Sequence, residues 1–278
     1  MTTSAAVPAC DDTSAMPGSF FTHERGERFR PTDHARGPWH PEHCHAGPPT
    51  GLVARALERL VPDKRLTRLT LNLMRPIPHA GFRIRATLAR DGRIAATSRA
   101  EIVADDGRVV ASAEGLHLLS RPAHPYPTRT DSIGSPDDAR PGPFPIPRTV
   151  HGLPSFLGPG VETRYPDGEN GEPGPTIAWL RTVPLLPDEI PSPFQRICPL
   201  ADCGNAFGRN ADPPAVTFAN ADLTLTLHRD PLGEWLGARA IGFWEADGIG
   251  MSEAALFDLH GRVGLAVQTL VLTAPDAN

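Results

Sequence analysis

The chain has 278 residues, a formal net charge of −5 and 40% apolar residues. That suits one large domain or two halves around a shared core. No Lys/Arg run or basic stripe occurs, which argues against a nucleic-acid partner. No stretch of about 18 apolar residues occurs either, so no membrane span is expected. Met1 to Gly18 is small and polar. It lacks the basic start and apolar run of a signal peptide and is read as a disordered tail, residues 1–18, on a cytoplasmic protein. Cys10, Cys44, Cys198 and Cys203 are too few for a disulfide scaffold and show no Cys-x-x-Cys pair, so they are taken as free thiols.

In chain order, Phe20 to Arg30 reads as a first strand. His45-Ala46-Gly47-Pro48-Pro49-Thr50-Gly51 then looks like a helix entrance, because proline is tolerated where a first-turn N–H has no partner. Leu52, Val53, Ala56, Leu57 and Leu60 recur at helical spacing, and Val61-Pro62-Asp63 stops the helix. Leu69, Leu71 and Leu73 alternate with polar residues, as do Phe82, Ile84, Ala86 and Leu88, so both runs read as strands. Asp91-Gly92 is a hairpin signal. A third run reaches Val103, and a fourth goes from Val109 to Leu119. Residues 121–160 are rich in proline and glycine without periodicity and read as a linker. Strands are expected near Val161–Tyr165 and Thr176–Val183, and a short helix near Leu200–Arg209. Four more strands are expected over Val216–His228, Trp235–Trp244, Met251–Phe257 and Val263–Leu272.

The two halves repeat each other. Leu69-Thr70-Leu71, Gly107-Arg108-Val109 and Leu116-His117-Leu118 recur as Leu223-Thr224-Leu225, Gly261-Arg262-Val263 and Leu270-Val271-Leu272, all 154 positions later. Each copy reads as strand, helix, then a four-stranded meander. One helix on one antiparallel sheet leaves sheet edges open. Two such units, 19–120 and 161–278, close an edge each by joining into one sheet. The expected class is α+β, a double hotdog.

At this point the residues resemble a known family. Gly37-Pro38-Trp39, His45-Ala46-Gly47 before the helix and Leu73-Met74-Arg75-Pro76 carry the likeness in the first half. Leu200-Ala201-Asp202, Asn220-Ala221-Asp222, Gly233-Glu234-Trp235, Asp247-Gly248-Ile249-Gly250 and Val267-Gln268-Thr269 carry it in the second. Their order and spacing resemble the double-hotdog acyl-CoA thioesterases of type II over roughly residues 20–120 and 160–273. The resemblance implies an acyl-CoA substrate, no cofactor, an acyl pocket between the helices and assembly into homo-oligomers.

It also implies a site. Thioester hydrolysis needs a placed water, a group to take its proton, and donors for the developing oxyanion. Carried over by motif, Asp202 at the start of the second helix would polarise the water. Asn220, where the family more often has Ser or Thr, and Gln268 would hold it. Gly47 and Thr50 would donate to the oxyanion, since Pro48 and Pro49 have no N–H, and His45 would line the site. Gln268 corresponds to Glu114 at the repeat offset. Without the resemblance, Asp202 also reads as a helix N-cap, Asn220 as a turn residue and Gln268 as half of a polar pair. Asp222 is given a structural role, pairing with an arginine. His40, His43, Cys44 and His45 are nearly contiguous and complete no known metal spacing, so no metal is expected. Two other readings stay open: a non-catalytic acyl-CoA or lipid binder, and a hydratase built on His45, for which no acid partner is apparent.

Overall fold

The computed structural model describes residues 16–274 apart from 17, 25, 123–126, 129–130, 147–148 and 214. The expected tail therefore lies almost wholly outside the described residues, as does Cys10, while Met16 packs against the core.

Thr70 and Thr224 face each other at the middle of one continuous antiparallel sheet, their hydroxyls 3.1 Å apart. They are 154 positions apart, so the repeat offset also marks the pseudo-two-fold axis. On the first side lie β1 (Phe21–His23), β2 (Arg28–Pro31), the helix α1 (Gly47–Leu60), β3 (Arg65–Leu73), β4 (Phe82–Asp91), β5 (Ala95–Ala104) and β6 (Val109–Leu118). Then come β7 (Arg140–Pro141), the small pair β8 (Thr149–Val150) and β9 (Leu153–Pro154), β10 (Val161–Tyr165) and β11 (Thr176–Thr182). The second helical layer is α2 (Pro193–Ala201) and α3 (Gly204–Phe207). The chain ends with β12 (Thr217–Asn220), β13 (Asp222–Leu227), β14 (Leu236–Trp244), β15 (Ile249–Asp258) and β16 (Gly261–Thr273). The sheet order is β1-β2-β4-β5-β6-β3-β13-β16-β15-β14-β11-β10-β7, with β12 also on β16.

This order confirms the double hotdog and corrects the meander. β3 pairs with β6 instead of β4, and β13 with β16 in the same way. Alternation in sequence determines which face of a strand is buried, and says nothing about which strand lies beside it. With β3 next to β6, its other edge is free to meet β13, and neither half keeps an open edge at the junction.

Three local expectations also change. The first strand is a hairpin, β1 on β2, with Gly26 at φ 69° in the left-handed region that favours glycine. The second helix starts earlier than expected, at the cap Ser192, whose hydroxyl accepts from Gln195 N at 3.2 Å, with Pro193 as first helical residue. The expected linker is packed structure among its described residues. Ile133, Ala139, Phe144, Ile146, Phe156 and Leu157 are buried, and β7 adds to β10. A Pro-rich segment without periodicity is still able to bury side chains one at a time.

The helices touch directly. A Cβ on Gly47 would lie 2.9 Å from Pro199 Cα, and one on Gly51 would lie 3.1 Å from the Gln195 carbonyl. Glu58 of α1 accepts from Ser192 Oγ at 2.8 Å and Gln195 Nε2 at 2.7 Å. The acyl pocket expected between the helices is therefore closed along this contact, and the cavity lies elsewhere.

The first half carries one buried polar pair. His117 and Ser98 are both fully buried, with Nε2 to Oγ 2.7 Å. His117 Nδ1 has no partner among the described residues. Burial, with nearby Lys64 adding to it and Asp63 opposing, holds the imidazole pKa below its ordinary 6.5. A depressed base favours the unfolded chain on protonation, so this stability is present above pH ~6.5 and is lost as the pH falls below it. We expect the urea midpoint to drop between pH 7.5 and 5.5, and to drop less in His117→Gln than in the wild type.

Candidate active site

The site forms where the copies differ. Pro199 lies inside α2, and the helix ends two residues later; Asp202 is its C-cap and Cys203 the N-cap of the short α3. The expectation that Asp202 opens a helix is thus corrected. At a helix C-terminus the dipole disfavours an anion, so its charge is met by other groups. Asn220 Nδ2 donates to Oδ1 at 2.9 Å, and Gln268 Nε2 donates to the same oxygen at 3.0 Å. His45 Nδ1 lies 3.0 Å from Oδ2. Asp202 is 3% exposed and Gln268 1%. The three residues named for catalysis therefore converge on one buried carboxylate, and His45 comes to it from the other half.

Each side chain has a clear reason to be there. Asn220 ends β12, and the chain bulges at Ala221 before β13. The bulge leaves Thr269 N–H for Asp222 Oδ1, at 2.7 Å. Asp222 is structural as expected, but its recorded partner is this amide and not an arginine. Gln268 has both ends engaged, since its Oε1 also accepts from Asn205 N at 3.0 Å. It ties β16 to α2 and α3. Its counterpart is Gly115, not Glu114: Ser252 stands opposite Gln268 as Ser98 stands opposite Gly115. The last strand runs one residue out of step with the repeat, which turns Glu114 to solvent against Arg99. In the first half the space is filled by Leu57 and Leu66, which a Cβ on Gly115 would strike.

His45 stacks on Phe156, 4.1 Å between centroids, and Phe156 on Phe20 at 5.7 Å. Its Nδ1 also lies 3.2 Å from Gly47 N. One nitrogen cannot accept from Gly47 and donate to Asp202 at once, so the tautomer selects between them. Thr50 is fully buried, and both its N–H and its hydroxyl go to the Ala46 carbonyl, at 3.0 and 2.8 Å. Thr50 is therefore not free to act as the oxyanion donor expected of it. The sequence shows the prolines at this helix start, but not the pairing of the remaining groups.

The pocket above these groups has a volume of about 640 Å³. Trp39, Phe144, Ile146 and Phe218 form apolar walls, and His45, Asp202, Asn205 and Asn220 gather on its polar side. Trp39 packs edge-on against Phe218 at 5.5 Å. Phe144 and Ile146 come from the segment read as a linker, and nothing in their spacing reveals this role. Asn205 also escapes the sequence reading. Its position three residues after Asp202 is the only hint.

Among the described residues no cysteine is set up as a nucleophile. Cys44, Cys198 and Cys203 are free thiols, and burial raises the pKa of each. His40 and His43 stack 4.3 Å apart. Among the described residues no three His, Cys, Asp or Glu side chains gather as a metal site would require.

Fold and site together define a double-hotdog protein with one carboxylate–amide cluster at the contact between its halves. Residues 35–117 match the N-terminal domain, and residues 136–272 the C-terminal domain, of acyl-CoA thioesterases. The chain belongs to the acyl-CoA thioesterase family. No curated protein matches it by sequence. Among solved structures it is similar to a conserved hot dog protein of unknown function from Alicyclobacillus acidocaldarius (TM-score 0.69, 17% identity, covering 91% of this chain and 96% of that one). It is also similar to an acyl-CoA thioesterase II from Mycobacterium marinum (TM-score 0.63, 16% identity, 93% and 97%). At these identities the likeness is one of fold.

The roles of Gln268 and Glu114 are separable. Gln268→Leu unpairs a buried N–H and removes a donor from Asp202. It is expected to cost about 1–3 kcal/mol in denaturant unfolding. Glu114→Ala at the surface should change stability by under about 0.5 kcal/mol. Equal costs would mean the repeat offset, and not the sheet register, identifies the counterpart.

Proposed function

We propose that this protein hydrolyses acyl-CoA thioesters, with Asp202 as the group that activates water. The observation that supports this best is the buried Asp202 carboxylate. It faces a pocket with two amides and an imidazole around it, and among the described residues it is in no ion pair with Arg or Lys. A carboxylate held by neutral donors keeps lone pairs for a water; one paired with arginine would have them engaged. The Asn220 carboxamide donates through its N–H₂ to Asp202 and the Asp222 carbonyl, leaving its oxygen for a water proton. Gln268 is then a positioning residue.

In the step, the water oxygen adds to the thioester carbon while a water proton passes to Asp202. The carbonyl π pair moves to oxygen. When the tetrahedral intermediate collapses, the C=O re-forms and the C–S bond breaks. The CoA sulfur leaves with the bond pair and takes the proton back from Asp202, giving free acid and CoA. No cofactor enters this balance. The acyl group would lie along the apolar walls of the pocket.

A second reading has one observation behind it. His45 finds in Asp202 the acid partner that the sequence did not reveal, and a His–carboxylate pair also suits water addition to an enoyl-CoA. CoA release from a panel of short, long, branched and aromatic acyl-CoAs tests the first reading, with enoyl-CoA loss followed in parallel. We expect release by the wild type and a fall in kcat of about 10²–10⁴-fold in Asp202→Asn. Enoyl-CoA consumption without CoA release would favour the hydratase. No turnover by a folded wild type would favour the binder.

Self-association completes the proposal. Phe243, Ile249, Met251 and Val271 are exposed. The register sets Phe243 against Met251 and Ile249 against Val271. Such an apolar patch on the outer sheet face suits a second copy. Light scattering should show a dimer or larger, shifted toward monomer by Ile249→Lys. A monomeric wild type would remove this part of the proposal.

A further inference from the structure

Hydrolysis of a thioester places negative charge on the former carbonyl oxygen, and the donors that meet it must be in place beforehand. The start of α1 is poorly equipped for this. Pro48 and Pro49 have no N–H, Thr50 is bonded to Ala46, and Gly47 N–H is engaged by His45 Nδ1 in the tautomer that leaves this nitrogen an acceptor. Gln268 has both ends engaged, and the Asn220 N–H₂ is directed at Asp202 and the Asp222 carbonyl.

Resting on the hydrolytic reading, we propose that the side-chain amide of Asn205 is the oxyanion donor. Asn205 follows Asp202 by three residues, across the break between α2 and α3. Both line the same pocket. The Asn205 backbone is held by Gln268 Oε1, 3.0 Å from its N–H. The turn beneath it lies close on the sheet, as only glycine allows: a Cβ on Gly204 would lie 2.9 Å from Ser252 Oγ and 3.1 Å from Ala254 Cβ. The Asn205 carboxamide is half-buried and makes no recorded hydrogen bond to a described residue. Its backbone is held, and the partner position of its amide is open.

Its chemistry fits the neighbour. An Arg or Lys beside Asp202 would pair with the carboxylate and lower its basicity. A carboxamide supplies two N–H groups, carries no charge and does not titrate. It can meet an oxyanion without competing for the base. Gln268 then has one combined task, holding Asp202 through its nitrogen and Asn205 through its oxygen, so that base and donor keep a constant separation.

The test is steady-state hydrolysis by Asn205→Ala and the near-isosteric Asn205→Asp. It is paired with thermal unfolding and with the affinity for an S-alkyl-CoA thioether, which has no carbonyl oxygen. We expect kcat to fall about 10²–10³-fold in Asn205→Ala, the loss typical of removing one oxyanion donor. Asn205→Asp should fall at least as far, since it sets an anion against the developing charge. KM, thioether affinity and Tm should stay near the wild-type values. Variants that keep kcat within about threefold of wild type overturn the assignment. So does a loss confined to KM and thioether affinity, which would make Asn205 a binding residue only. A folded wild type that releases no CoA overturns the hydrolytic reading and this assignment together, an outcome distinct from the other two.

Discussion

The antiparallel pairing of β3 with β13 is the interaction on which the rest depends. It is made from the two copies of one Leu-Thr-Leu segment, registered so that Thr70 meets Thr224. Neither half could leave this edge bare, since an unpaired central strand exposes a row of backbone donors and acceptors. Joining the edges sets α1 and α2 side by side on one face of the sheet. Gly47 and Gly51 then let the helix backbones approach closely. Through that contact His45, from the first half, arrives within hydrogen-bond distance of Asp202, from the second.

The same contact explains why, among the described residues, the cluster forms in one half and not in both. In the first half α1 is continuous, and Leu57 and Leu66 fill the space beneath it against Gly115. In the second half the helix breaks at Asp202 and Cys203, and Gln268 enters the space that Gly115 leaves to leucine. A polar side chain under a broken helix is stable only when its groups are paired. Gln268 achieves this by bonding Asp202 on one side and the Asn205 backbone on the other. The irregular backbone and the buried amide support each other, and the same bonds hold the Asp202 carboxylate at the pocket.

Composition of the walls follows similar logic. The segment between the halves contributes Phe144 and Ile146 to the pocket and Phe156 to the stack on His45. The ladders of this Pro-rich stretch are only two residues long, but side chains held by isolated turns still pack. The pocket is thus made by five parts of the chain: residues 37–46, residues 73–77 from the end of β3, the connecting segment, the stretch from Asp202 to Asn220, and the end of β16.

The sequence by itself determined the local elements and the repeat. Alternating leucines show β3, the doubled proline and apolar spacing show α1, and the constant offset shows two copies of one unit. Family motifs also single out Asp202, Asn220, Gln268 and His45, because spacing along the chain survives as a pattern in residue types. Only the tertiary structure decided how these meet. Strand order, the register slip that exchanges Glu114 for Gly115, the helix break at Asp202, the closed helix contact and the exposure of the Asn205 amide all depend on contacts between residues far apart in sequence. Periodicity records which face of an element is apolar; it carries no record of the neighbour that covers it, and the chemistry of this site is decided by those neighbours.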